Sequence, residues 1–212
     1  MSLMRALALF LLALFAVPPV SASPPSWVST GMISEMRAEH FWDIVDKTTR
    51  CGDDQLCQIR SLRSELERLT PEELLQFQLA FRARMREAFS PKLYWAGYVI
   101  HGGLSDDSFD SFLCWLISKG SRAFRKALTN PDQLAHVISG DAGEALAFDD
   151  FGYVAGDVWV EKTASDWDTL GKTLDQFDQP FADIAQFYRL DDAELARRYP
   201  ALWRRFGQHP LS

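Results

Sequence analysis

The chain has 212 residues, of which 29 are acidic and 22 are basic, and its formal net charge at neutral pH is −7. An acidic surface repels phosphate groups, so the composition argues against nucleic-acid binding and against adsorption to anionic membranes. Hydrophobic residues make up 47% of the sequence, and this length is enough for one domain with its own core.

The N-terminus has the pattern of a secretory signal peptide. Arg5 is followed by an apolar run over residues 6–17, which is shorter than the roughly 20 residues that a membrane-spanning helix needs. Two prolines and a small-residue cleavage pattern ending at Ala22 come next. We predict that residues 1–22 are a cleaved signal peptide and that residues 23–34 form a flexible leader. An uncleaved anchor or a core helix is the alternative interpretation.

Removal of the signal peptide would leave no membrane span, so we expect a soluble protein in the periplasm or outside the cell. Cys51 and Cys57 bracket Gly-Asp-Asp-Gln-Leu, and such a pair in an exported protein is typical of a disulfide. This disulfide would close a short loop between two helices and contribute about 2 kcal/mol. A metal site is the alternative, but the spacing is not that of a zinc ligand pair. Cys114 is interpreted as a small buried residue.

Apolar residues recur at helical spacing over most of the chain after the leader. Thr70 has the features of an N-cap, with Pro71 in the first turn and Glu73 completing a capping box. Ser90-Pro91 repeats this start signal. Gly102-Gly103 ends the helix that follows, because glycine adopts the left-handed cap conformation at little cost.

Ser105 is predicted to cap the next helix. Residues 148–162 favour a helix, although their valines and aromatic residues are also typical of strands. After Thr163 the sequence becomes polar and weakly periodic. We predict a mainly α fold, in which a single compact multi-helix domain spans residues 35–163 and an extended C-terminal segment, residues 164–212, packs on that domain.

Three aspartates lie near the start of the Ser105 helix. Asp106 and Asp107 fall in its first turn, where exposed backbone amides and the helix dipole stabilise carboxylates. Asp110 follows one turn later, so all three can share one flank, where crowding raises a pKa or recruits a cation. His101 ends the preceding helix and could face these aspartates, or it could cap the last carbonyls of its own helix.

Aromatic residues are concentrated around the same region. Aromatic walls beside carboxylates commonly bind sugars or cationic groups, and burial in the core is the alternative. The candidate binding residues are His101, Asp106, Asp107, Asp110, Trp42, Trp95 and Trp115. No metal ligands are predicted, and neither a cofactor nor a catalytic residue is identified, since G-x-S-x-G, P-loop, H-E-x-x-H and dinucleotide-binding motifs are absent.

Several motifs along residues 40–157 resemble, in order, those of one protein family. They are Phe41-Trp42-Asp43-Ile44-Val45-Asp46, Leu69-Thr70-Pro71-Glu72-Glu73, Trp95-Ala96-Gly97-Tyr98-Val99-Ile100 with Gly102-Gly103, Ser105-Asp106-Asp107-Ser108-Phe109-Asp110, Trp115-Leu116-Ile117-Ser118-Lys119-Gly120, Asn130-Pro131-Asp132 and Tyr153-Val154-Ala155. The chain thus resembles the DUF4240 family of bacterial proteins of unknown function. The resemblance implies a compact helical domain and no particular activity.

Two functional hypotheses follow from the sequence. The first is an exported, non-catalytic binding or interaction protein with an acidic, aromatic-lined groove near residues 101–115, which takes a basic or neutral protein or small molecule. The alternative is a carboxylate-dependent hydrolase, with or without a divalent cation. In that hypothesis Asp107 or Asp110 is the general base and His101 is an auxiliary proton carrier.

Overall fold

The computed structural model describes residues 33–139, 146–177, 179–184, 187 and 189–211. The predicted signal peptide and most of the predicted leader lie outside the described residues. Helices dominate the described part of the chain and no strand occurs in it, which confirms the prediction of a mainly α fold.

Ten α-helices form the described structure. They are Ala38–Thr48 (α1), Gln55–Leu66 (α2), Pro71–Ala88 (α3), Pro91–His101 (α4), Asp106–Ser118 (α5), Gly120–Thr129 (α6), Asp149–Thr163 (α7), Trp167–Leu174 (α8), Asp192–Arg198 (α9) and Pro200–Phe206 (α10). Two short 3₁₀ helices, Thr49–Cys51 and Pro131–His136, follow α1 and α6 respectively.

The predicted helix starts are confirmed by capping hydrogen bonds. The Thr70 hydroxyl accepts from the Glu73 amide, and the Glu73 carboxylate accepts from the Thr70 amide, which completes the capping box of α3. Ser90 and Ser105 cap α4 and α5 in the same way, each satisfying an amide that the helix itself leaves unpaired. Gly102, with a φ of 69°, ends α4 in the left-handed conformation as predicted.

The segment with mixed helix and strand signals forms α7, a central helix that packs against α2, α3 and α5. Its buried residues recur at helical spacing and include Phe151, Val154, Ala155, Val158 and Trp159. Burial of this stripe outweighs the strand preference of the individual residues, because tertiary packing decides most of the stability of an amphipathic helix.

The aspartate that ends the first family-like motif joins α1 to α6. Asp46 accepts hydrogen bonds from the Ser121 amide at 2.6 Å and from the Ser121 hydroxyl at 2.7 Å. The chain turns into α6 at Gly120, whose φ is 83° and where a Cβ atom would lie 2.6 Å from the Asp46 carboxylate. The turn therefore requires glycine, and Asp46 caps the helix that begins there.

The segment after Thr163 contains three short helices, α8, α9 and α10, and packs on the preceding helices. Helix α8 contacts α7, while α10 contacts α4 and the Pro131–His136 helix. Asp132 accepts hydrogen bonds from the amides of Ala201 and Leu202 and so caps α10. Leu202 is fully buried, which makes this segment a contributor to the hydrophobic core.

The predicted disulfide between Cys51 and Cys57 is present and joins the end of the first 3₁₀ helix to the first turn of α2. Cys114 is a buried free cysteine, as predicted. None of the described helices is both long enough and apolar enough to cross a bilayer.

Candidate functional site

A groove of about 610 Å³ opens between α3, α5, α7, α8 and the chain that follows α8. Three carboxylates and one guanidinium lie along it, namely those of Asp110, Asp149, Asp175 and Arg82. Arg82 pairs with Asp175 at 3.4 Å. Among the described residues, no cation forms an ion pair with Asp110 or Asp149, so these two carboxylates give the groove its net negative charge.

Aromatic side chains form the walls of this groove. Tyr153, Trp167 and Phe181 are 54%, 43% and 41% exposed, respectively, and all three line it. The rings of Tyr153 and Trp167 meet edge to face with centroids 5.7 Å apart. Large apolar side chains that remain exposed and share one concave surface are typical of an interaction site.

The indole of Trp167 rests directly on the backbone of α7. A Cβ atom at position 156 would overlap the six-membered part of the indole, so the close approach depends on Gly156. Asp166 caps α8 by accepting a hydrogen bond from the Thr169 amide, which fixes the start of the helix that carries Trp167. The position of Trp167 in the groove wall is therefore fixed by its contact with α7 and by the cap of its own helix.

Asp110 lies one turn into α5 at the edge of the groove. Desolvation raises the pKa of its carboxyl, and the negative charges of Asp107, Asp106 and Asp149 raise that pKa further. The neutral form of Asp110 is thus favoured more than that of an isolated aspartate, and a bound cation would reverse this preference.

The side chain next to Asp110 positions the second carboxylate. The Ser111 hydroxyl lies 2.7 and 2.8 Å from the two Asp149 carboxylate oxygens and donates its proton to that carboxylate. The Phe148 amide also donates to the Ser111 carbonyl at 3.2 Å, which ties the start of α7 to α5. Asp149 occupies the first turn of α7, where the exposed amides stabilise its negative charge.

The floor of the groove contains a buried acceptor that lacks a partner. The Gln78 side chain is 9% exposed, and its Nε2 atom donates to the Gly152 carbonyl at 3.3 Å. Its Oε1 atom is buried and has no hydrogen-bond partner among the described residues. Beside it, burial raises the pKa of the Cys114 thiol to about 12, so this thiol stays neutral and unreactive at physiological pH.

The structure separates the three aspartates that the sequence grouped together. All three are exposed, but only Asp110 lines the groove, whereas Asp106 and Asp107 lie in the first turn of α5 and are not among the lining residues. They lie one turn nearer the helix start, which displaces them along the helix axis by about 5 Å. They influence the groove through their effect on the pKa of Asp110.

His101 does not share the groove with Asp110. It ends α4, its ring packs edge to face on Phe112, and its buried Nε2 atom has no partner among the described residues. Burial lowers the pKa of His101, and a hydrogen bond with the Leu211 main chain partly opposes that change. The imidazole is therefore placed as a neutral packing group.

The three candidate tryptophans are in the core and not on the groove walls. Trp42, Trp95 and Trp115 are 8%, 7% and 4% exposed. Trp42 packs against Phe124, and Trp115 stacks on Phe112. Their helices turn these positions inward, so these tryptophans do not form the aromatic wall of this groove.

The aromatic residues that do line the groove were missed by sequence reasoning. Tyr153 lies in the segment with mixed strand and helix signals, and Trp167 and Phe181 lie in the weakly periodic extension. The available signal was the presence of large aromatic residues in a polar segment with no apolar stripe to bury them.

A divalent-cation site is not formed by the side chains that the structure describes. Within those ranges, no group of three or more His, Cys, Asp or Glu residues is arranged to hold a metal ion.

Residues 36–161 match the model of a family described as protein of unknown function (DUF4240). The chain belongs to the DUF4240 family. No curated protein and no solved structure matches it. The DUF4240 region supplies the walls of the groove from α3, α5 and α7, while Trp167, Asp175 and Phe181 lie beyond it. The groove is therefore built jointly by the family region and the C-terminal extension.

Proposed function

We propose that this DUF4240 protein is a non-catalytic binding protein whose groove captures a basic or neutral partner. One observation carries this proposal, namely that Asp110, which has no ion-pair partner among the described residues, shares a groove with three exposed aromatic side chains. The net negative charge attracts cations, and the aromatic rings supply apolar surface and cation–π interactions.

The binding proposal is tested by titrating the ¹⁵N-labelled protein with three small probes. Benzyltrimethylammonium and benzyl alcohol should shift the amide resonances of Asp110, Gly152 and Trp167, because they match the groove in charge or in apolar surface. Benzoate should not shift them, because the carboxylates repel it. Asp110→Asn should weaken binding of the ammonium probe, whereas Asp43→Asn, the same change at an exposed position on α1, should not. Benzoate binding in the groove, or no probe binding there, would contradict the proposal.

We further propose that the protein is exported and acts in the periplasm or outside the cell. The N-terminal pattern over residues 1–22 supports export. The Cys51–Cys57 disulfide supports it independently, because disulfides persist mainly in oxidising compartments. Mass spectrometry of the protein from fractionated cells should find a processed N-terminus at Ser23 outside the cytoplasm. An intact N-terminus in the cytoplasmic fraction would refute export.

A carboxylate-dependent hydrolase is the second candidate function, and the raised pKa of Asp110 favours it. A carboxyl that keeps its proton to a higher pH than usual can act as a general acid, with Asp149 as the ionised partner. His101 has no part in this version because it does not line the groove. Turnover of chromogenic esters or glycosides that is lost in Asp110→Asn would support catalysis, and equal rates in both proteins would exclude it.

A further inference from the structure

We propose that the groove recognises a guanidinium group, so that its ligand carries an arginine side chain. This inference rests on the proposed binding function and specifies its ligand. The recognition site combines three residues that line the groove, namely Asp110 with its carboxylate, Gln78 with its unpaired amide oxygen and Trp167 with its indole.

Three side chains of the groove lining, those of Gln78, Asp110 and Asp149, offer acceptors to a ligand. Gln78 uses its Nε2 donor on the Gly152 carbonyl and leaves Oε1 buried and unpaired among the described residues. Asp110 has no cationic partner there, and Asp149 receives only the Ser111 proton. A buried acceptor without a donor destabilises the folded state. Gln78 lines the groove, so a small rotation of its side chain would expose Oε1 and let a ligand rich in N–H groups supply the missing hydrogen bond.

Hydrogen-bonding capacity narrows the choice of ligand. Carboxylates and phosphates bring more acceptors and negative charge, which this groove disfavours. An ammonium group and a guanidinium group both bring donors and positive charge without acceptors. The guanidinium carries five donors in one plane, so it can bond to two separate acceptors at the same time.

The aromatic wall favours the planar cation over the compact one. Trp167 is held against Gly156 and still exposes 43% of its surface. A guanidinium can stack on an aromatic face while its in-plane N–H groups reach the acceptors, and it is less strongly hydrated than an ammonium group. The free energy needed to move a guanidinium group from water into the groove is therefore lower than that for an ammonium group.

The protein's own cation in the groove does not occupy these acceptors. Arg82 pairs with Asp175, with 3.4 Å between the charged atoms, and Asp175 directly follows the last residue of α8. Asp110 and Gln78 are on α5 and α3. The groove thus accommodates one guanidinium by an intramolecular ion pair and leaves a second set of acceptors for a ligand.

The inference is tested by isothermal titration calorimetry at low ionic strength with the Nα-acetyl methylamides of arginine, lysine and citrulline. Arginine should bind at least about tenfold more tightly than lysine, and citrulline, its neutral counterpart of similar shape, should not bind measurably. Asp110→Asn should weaken arginine binding by about tenfold or more, the order expected for one charge-assisted hydrogen bond. Asp43→Asn should change it less than twofold.

Two further variants test the floor and the wall separately. Gln78→Met keeps the length of the side chain and removes the acceptor, and Trp167→Leu keeps an apolar side chain and removes the aromatic face. Each should weaken arginine binding several-fold, with circular dichroism confirming a folded protein. If Gln78→Met fails to fold, Trp167→Leu and Asp110→Asn still decide the question.

The source of the guanidinium is decided by comparison with a short peptide, acetyl-Gly-Gly-Arg-Gly-Gly-amide. Tighter binding of the peptide than of the arginine derivative would identify a protein segment as the ligand, and equal affinity would identify a free arginine-type molecule. Equal affinities for arginine and lysine, or for arginine and citrulline, would overturn the inference. If benzyltrimethylammonium binds in the groove and the arginine probes do not, only the guanidinium inference fails. If none of them binds, the proposed function fails as well.

Discussion

Some aspartates of this protein stabilise the fold through backbone hydrogen bonds, whereas one of them destabilises it. Asp46 and Asp132 accept backbone hydrogen bonds at the starts of α6 and α10. Asp110 accepts none from the described residues, and the pKa of its carboxyl is raised by desolvation and by neighbouring negative charges. A carboxyl at the edge of a groove whose charge no described protein group offsets supports the proposed role in binding rather than a role in stability.

Replacing this aspartate should therefore stabilise the protein at neutral pH. Because the pKa of Asp110 is higher in the folded state than the usual 3.8, the folded chain binds more protons, and stability falls as the pH rises from 3.8 through the folded-state pKa. Asp110→Asn should raise the free energy of unfolding at pH 7 by no more than about 1 kcal/mol, since solvent screens a partly open carboxyl. At pH 3 the difference should vanish.

Urea denaturation at pH 3, 5 and 7 measures this effect, and Asp43→Asn provides the control for a loss of one exposed negative charge. A gain that is equal at pH 3 and pH 7 would show that charge is not its cause. A loss of stability at pH 7 would assign Asp110 a structural role.

Residue-level reasoning from the sequence succeeded where chemistry is local. Thr70, Ser90, Ser105 and Gly102 act within a few residues of themselves, so their roles as caps were predictable. The groove depends on side chains brought together from different helices. The burial of the three candidate tryptophans and the exposure of Trp167 follow from helix orientation in the fold, which single-residue chemistry does not determine.

Helices are joined here by side-chain contacts between elements that are distant in sequence. Asp46 at the end of α1 binds the first turn of α6, and Ser111 on α5 binds Asp149 at the start of α7. The family-like motif around residue 46 therefore has a structural explanation, which is the capping of another helix. The helix or strand ambiguity of α7 was likewise resolved by its packing against α2, α3, α5 and α8.

Removing the Asp46 carboxylate should loosen the joint between α1 and α6. Asp46→Ala removes acceptors from two hydrogen bonds of 2.6 and 2.7 Å and should lower the free energy of unfolding by about 1–2 kcal/mol, the range for loss of a helix cap. Asp43→Ala, on the same helix and exposed, should change it by less than about 0.5 kcal/mol. Guanidinium chloride denaturation measures both, and equal effects of the two changes would contradict the capping role.

At the scale of the whole molecule, the folded unit extends beyond the DUF4240 region. The family match ends at residue 161, yet Leu195, Leu202 and Phe206 are buried in the same core as the family helices. The sequence predicted that residues 164–212 pack on the domain but gave no stripe strong enough to locate these core positions. Two short helices with polar faces carry too few apolar residues for a clear period.

A core substitution in the extension should therefore cost as much as one in the family region. Leu202 and Leu116 are both fully buried, so Leu202→Ala and Leu116→Ala should each lower the free energy of unfolding by about 2–5 kcal/mol within a single cooperative transition. Arg204→Ala, exposed on the same helix as Leu202, is the control and should have little effect. An unchanged thermal midpoint for Leu202→Ala, or a separate early transition, would show that the extension folds apart from the rest.

The contact between Trp167 and Gly156 has a consequence for how the groove can vary. Gly156 is not among the lining residues, yet any larger residue there would force the indole outward. The width of the groove opening thus depends on Gly156 of α7, because the lack of a Cβ atom there lets the indole lie against the helix backbone. A substitution at Gly156 can therefore change the ligand specificity of the groove although this residue does not line it.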